Sequence, residues 1–145
     1  MKSLKENRSI CYVLIIISMI LVLTTGCFSY GEPKIEMSAI AQQISANESA
    51  KTITYDVIVT IENSGTNNAH DLSVLVLVST PPDQPEYRMN GGNIDVGTLK
   101  KGETIAKTVT VPLEVTDLFY QKMALGEIKP HIETKVSQVT SNIMG

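Results

Sequence analysis

An all-β fold of two packed antiparallel sheets is what this sequence predicts, and three observations carry the prediction. From Ile35 onward, six or seven short segments with apolar residues at alternate positions follow one another, each bounded by a cluster of Gly, Pro, Asn, Asp or Ser. Helical spacing is nearly absent there, apart from one short stretch after Asp117. The same stretch contains no cysteine, because Cys11 and Cys27 are the only two in the chain. No disulfide can staple it, so the fold rests on its own hydrophobic core.

Taken in order, Gly31-Glu32-Pro33-Lys34 is polar and breaks regular structure, and residues 27–34 read as a short tether. The domain, 35–145, opens with Ile35, Met37, Ala39 and Ala41 alternating with polar residues, and Ser45 to Ser49 reads as a turn. The clearest strand follows. Ile53, Tyr55, Val57, Val59 and Ile61 share one face while Thr52, Thr54, Asp56, Thr60 and Glu62 share the other, so one side is core and the other is wet. Asn63 to Asn68 is a turn cluster whose Asn and Gly residues tolerate a left-handed backbone. The next strand, Leu72 to Val78, is apolar on both faces because Leu75 and Leu77 join Leu72, Val74, Val76 and Val78. It is expected either to be central and covered on both sides, the favoured reading, or to offer a small contact patch at Leu75 and Leu77.

The stretch Pro81–Gly92 is rich in Pro and Gly and reads as a long loop that cannot join a central ladder. Val96 and Leu99 mark a brief strand, Lys100-Lys101-Gly102-Glu103 a tight turn, and Ile105, Val109, Val111 and Leu113 the inner face of a further strand that Lys107 interrupts near its end. Asp117 is placed to cap a short helical turn with Leu118, Phe119, Met123 and Leu125 as its apolar contacts and Gly126 as its stop. The last strand carries Ile128, Pro130, Ile132, Thr134 and Val136 on one side. Pro130 puts it at an edge or marks a strand start. Six or seven such strands in a single domain of this size predict an immunoglobulin-like antiparallel β-sandwich. No Trp fills a core here, and no inter-sheet cysteine pair exists.

A different segment precedes the domain. Lys2, Lys5 and Arg8 come before an unbroken apolar run from Ile10 to Leu23, which ends at Thr24-Thr25-Gly26-Cys27. Basic residues before a short apolar core followed by small residues are the marks of an export signal, 1–26. The boundary resembles the lipobox of prokaryotic lipoproteins, and that resemblance implies cleavage before Cys27 and lipid attachment to its thiol. The alternative is a retained anchor, since the 21 residues from Ile10 to Tyr30 can cross a bilayer; plain secretion is the third reading. Removing the segment takes 12 basic and 15 acidic residues to 9 and 14, a net charge of −5. An acidic body repels phosphate, which argues against nucleic acid as a partner and against direct attachment of the body to anionic lipid. Membrane contact is expected through the amino-terminal lipid or helix alone.

The turns also carry a resemblance. Val59-Thr60-Ile61-Glu62-Asn63-Ser64-Gly65, Ala69 to Val74, and Val96-Gly97-Thr98-Leu99-Lys100-Lys101-Gly102-Glu103-Thr104 resemble the cell-adhesion-related (CARDB) β-sandwich domain of bacterial and archaeal surface proteins. The resemblance spans about half of the exported chain and implies a sandwich fold with a surface or adhesion-related role.

Chemistry is sparse. His70-Asp71 is the only adjacent His and acid pair, and neighbours on a strand point to opposite faces. His131 sits among charged residues, so zinc ligation is not expected. Asp83, Glu86 and Asp95 are oxygen donors without the tight spacing of a calcium loop. No phosphate-cradling loop or nucleophile elbow is present, and neither catalysis nor a cofactor is expected. Asn47-Glu48-Ser49 is a glycosylation sequon at Asn47. Tyr87, Arg88 and Met89 combine residue types favoured at binding hot spots and form, with Leu75 and Leu77, the candidate contact surface. The expected role is a non-catalytic, membrane-tethered extracytoplasmic module that binds an envelope protein or a surface polymer. An accessory subunit of a membrane complex is the alternative and a small hydrolase a remoter one. The oligomeric state is not set by these features.

Overall fold

The computed structural model describes residues 31–141. Cys27, the export segment and half of the tether lie outside the described residues. Six strands and one helix follow in order: β1 (Ile35–Asn47), β2 (Thr52–Asn63), β3 (Ala69–Ser79), β4 (Met89–Leu99), β5 (Thr104–Glu114), α1 (Asp117–Ala124) and β6 (His131–Thr140). They form two three-stranded antiparallel sheets, one ordered β1-β2-β5 and the other β4-β3-β6. The predicted sandwich of immunoglobulin-like architecture is what forms.

The period-two pattern decides which face is buried. On β2, Ile53, Tyr55, Val57, Val59 and Ile61 point inward and are buried, while Ile58 lies on the solvent face. Opposite them, Leu72, Val74, Val76 and Val78 of β3 are buried, and Val111 and Leu113 of β5 with Ile94 and Leu99 of β4 complete the core between the sheets. The central strands β2 and β3 carry most of the fully buried residues because each is flanked on both sides.

Three expectations need correction. The predicted turn at Ser45–Ser49 begins later, because β1 continues to Asn47 beyond an irregularity between Gln43 and Ser45. The long loop ends at Arg88, and Met89 to Gly92 belong to β4, an 11-residue strand rather than a brief one. Glycine is needed there because other side chains occupy the space: a Cβ on Gly91 would meet Leu77 Cδ2 at 2.8 Å, and one on Gly92 would meet Val109 Cγ2 of the opposite sheet at 2.6 Å. Finally, α1 docks through Phe119, Tyr120 and Met123, whereas Leu118 and Leu125 are 64% and 76% exposed. Its N-cap is Thr116 rather than Asp117, which instead pairs with Lys51 at 2.9 Å. Gly126 does end the helix, with φ +74° and its N–H donated to the Met123 carbonyl at 3.0 Å.

Candidate functional site

The two long sides of the sandwich differ. Along the side where β4 faces β5, the sheets close on each other: Gly92 admits Val109, and Asn90 Nδ2 donates to the Pro112 carbonyl at 2.7 Å. Along the other side β1 faces β6, and the seam stays open. The inward residues of β1, Ile35, Met37, Ala39 and Ala41, are only half-buried although they alternate as core residues should. On β6, Val136 is 37% and Val139 is 40% exposed. Small alanines on β1 leave this seam shallow, and among the described residues no further strand lies beside β6.

A cleft of about 380 Å³ lies at one end of the seam, lined chiefly by Ala39, Ile40, Ala41, Met123, Ile128 and Ile132. Tyr55 reaches it from β2 and is 3% exposed, yet its hydroxyl has no hydrogen-bond partner. Burial pushes its pKa up to about 12, because the phenolate would lose its hydration. Sequence reading placed Tyr55 in the core and gave no sign of the orphaned hydroxyl, which depends on what surrounds it in space.

The ends of the sandwich are also distinct. At one pole the chain enters the domain beside the 64–68 and 100–103 turns. Asn63 is fully buried there and joins them: its Oδ1 accepts from the N–H groups of Lys34 at 3.2 Å and Gly65 at 3.1 Å, and its Nδ2 donates to the carbonyls of Asn67 at 2.8 Å and Leu99 at 3.1 Å. Gly102, with φ +71°, donates its N–H to the Asn63 carbonyl. At the opposite pole lie the 48–51 turn, the 80–88 loop and α1. Tyr87 and Met89 are exposed, with the Tyr87 hydroxyl 3.4 Å from the Met89 sulfur, and Arg88 Nη1 donates to the Tyr87 carbonyl at 3.3 Å. Asn47 is exposed at this pole as well, its Oδ1 accepting from Ala50 N–H. Lys51 lies over the Tyr120 ring, 5.1 Å from its centroid, while Asp117 beside it holds the ammonium above the usual lysine range.

The remaining candidates fall apart from one another. A positive φ of 49° at Asp71 marks a bulge that sends His70 toward β4, where Nδ1 lies 3.2 Å from Thr98 Oγ1. The Asp71 carboxylate instead accepts from Thr140 Oγ1 of β6 at 2.8 Å, so no His–acid dyad forms. Asp95 turns to its own strand and accepts from Gly97 N–H. Among the described residues no three His, Cys, Asp or Glu side chains converge in a way that could hold a metal. Leu75 and Leu77 are half-buried on the outer face of β3, which is the central strand of its sheet. Both lie against the bare backbone of Gly91, so they are neither covered by a further layer nor a bare patch. No helix among the described residues is long and apolar enough to cross a membrane.

Among solved structures, the chain resembles the ApaA protein from Bordetella pertussis, at 20% identity and a TM-score of 0.43 over 57% of this chain and 70% of that one. It also resembles the trimeric lipoprotein SadB of Salmonella enterica, at 11% identity and 0.43 over 97% and 86%. A protein from Archaeoglobus fulgidus aligns at 12% identity and 0.30 over 77% and 93%. No curated protein sequence matches. The family model described as the archaeal immunoglobulin-like domain matches residues 41–144, from the middle of β1 past the end of β6. Spanning both sheets and every turn between them, that match makes this chain a member of the archaeal immunoglobulin-like domain family.

Proposed function

We propose that the chain is a non-catalytic extracytoplasmic module, held at the membrane by its amino-terminal segment, that binds an envelope protein or a surface polymer through the pole carrying the 80–88 loop. The observation that carries this reading is the polarity of the sandwich. Residues 31–34 enter at the Asn63 pole, and strands of 11 to 13 residues separate that pole from Tyr87, Arg88 and Met89. At about 3.3 Å per residue, the loop stands roughly 35 Å from the point of entry. A tether at one end therefore leaves the other end accessible, and exposed loops on a rigid sandwich commonly carry recognition. The resemblance of the turns to adhesion-related surface domains supports the same role, and lipidation at Cys27 supplies stable attachment when two acyl chains are present.

A photo-crosslinking residue at position 87, installed in the full chain in intact cells, is expected to give discrete adducts. The same residue at exposed Thr108 on β5 serves as the control. Equal labelling from both positions, or none from position 87, would overturn the assignment of that pole. The anchor has its own test: intact mass of membrane-extracted protein is expected to show a chain beginning at acylated Cys27, and retention of Met1 to Gly26 would defeat the lipid reading.

A further inference from the structure

We infer that β6 is an interface for a second copy of this chain, which pairs antiparallel with it about a twofold axis at Thr134 and joins the two β4-β3-β6 sheets into one. β6 has β3 on one side and, among the described residues, no strand on the other. Such an edge presents a row of free N–H and C=O groups, which natural sheets usually blunt with proline, a bulge or an inward charge. None of these interrupts His131 to Val136: Pro130 lies just before the strand, and the register shift comes only after Val136. The core face of this run is Ile132, Thr134 and Val136, without an inward charge.

The sequence of the run is what selects a second copy as the occupant. Around Thr134 it reads nearly the same in character in both directions, except that Glu133 and Lys135 carry opposite charge. Antiparallel pairing centred there sets each Glu133 against the second copy's Lys135, and each Ile132 against the second copy's Val136. Two charge pairs and two apolar pairs form together, each of a kind that stabilises neighbouring strands. Within one copy Glu133 and Lys135 already lie 3.1 Å apart, so pairing would align two such couples in alternation. The added strand would also lie along the open seam, covering the exposed side of Val136 and facing the half-buried residues of β1.

Charge reversal distinguishes a second copy from any other strand at this edge. The full chain, purified in detergent, is examined by sedimentation over a range of concentrations, and disulfide formation of Thr134→Cys under mild oxidant is compared with that of Thr108→Cys. Cysteines at 134 would face each other across the twofold, within the separation a disulfide requires. Crosslinking at 134 is therefore expected to outpace that at 108. Glu133→Lys puts like charges opposite each other in both pairs, and dimerisation is expected to weaken about tenfold. Adding Lys135→Glu restores both pairs with their signs exchanged and is expected to recover association. A strand from a different protein would not follow that exchange. Crosslinking at 134 no faster than at 108, or failure of the double reversal to recover what the single one loses, would overturn the inference.

Discussion

Asn63 concentrates more of the fold than any other polar side chain, because it satisfies two N–H donors and two carbonyls while fully buried. Removing such a group leaves the Leu99 carbonyl, whose bond to it is buried, without a partner and breaks three further part-buried bonds. Asn63→Ala is expected to destabilise the domain by roughly 2–4 kcal/mol, measured by denaturant unfolding. Tyr55 is the converse case, a buried hydroxyl with nothing to bond. Tyr55→Phe is expected to be neutral or slightly stabilising at pH 7, since no intramolecular hydrogen bond is lost. The two proteins should diverge in alkali. Unfolded tyrosine ionises near pH 10, whereas the folded group does so near 12, so the contribution of Tyr55 to stability is constant below pH 10 and is lost as pH rises toward 12. The Phe variant lacks that component of the decline, at most about 1.4 kcal/mol per pH unit, which unfolding curves at pH 9 and pH 11.5 would reveal. Both residues were legible in the sequence only in outline: Asn63 reads as a turn former and Tyr55 as a core residue. Two of the four partners of Asn63, Lys34 and Leu99, come from segments distant in the chain, and so does Met123, which lines the same cleft as Tyr55.

Among the elements, β2 is the most legible, since alternation alone gives its buried face and burial follows it residue by residue. β4 is the least legible. Its two adjacent glycines read as loop, because glycine in a strand interior weakens pairing, but here they make room for Leu77 and Val109. Gly92→Ala is therefore expected to cost about 1–3 kcal/mol by overpacking against the opposite sheet. Gly102→Ala meets no neighbour, and its expected cost of about 1 kcal/mol comes from φ +71° alone. Pairing each with a compensating Val109→Ala separates the causes, because only the Gly92 variant should be partly rescued. α1 was located correctly, but its buried face was not, since eight residues are too few for periodicity to set the phase of a helix that Tyr120 and Lys51 dock.

For the whole molecule, the consequence of cysteine placement is testable. The described residues contain none, so the sandwich is stabilised by the interleaved faces of two sheets and not by a covalent staple. Unfolding midpoints of the full chain should be the same with and without reductant, as followed by circular dichroism. A large shift would mean that Cys11 or Cys27 contributes a bond the sandwich depends on. Folding should lie in the slow range of small domains, milliseconds to seconds, because antiparallel partners such as β3 and β6 are far apart in sequence. The polarity of the molecule, with Asn63 at one pole and Tyr87 to Met89 at the other, belongs to this scale too.

The sequence by itself determined the strand class, the buried face of β2, the turns at Asn63–Asn68 and Lys100–Glu103, and the lack of any disulfide in the sandwich. These follow from side-chain period and from backbone preferences, which act within a few residues. Only the tertiary structure decided that one seam closes while the other stays open, that β6 pairs on one side alone among the described residues, and that His70 and Asp71 part company. Those outcomes depend on which strands become neighbours across tens of residues, and local pattern carries no record of the shape of the surface a strand will meet.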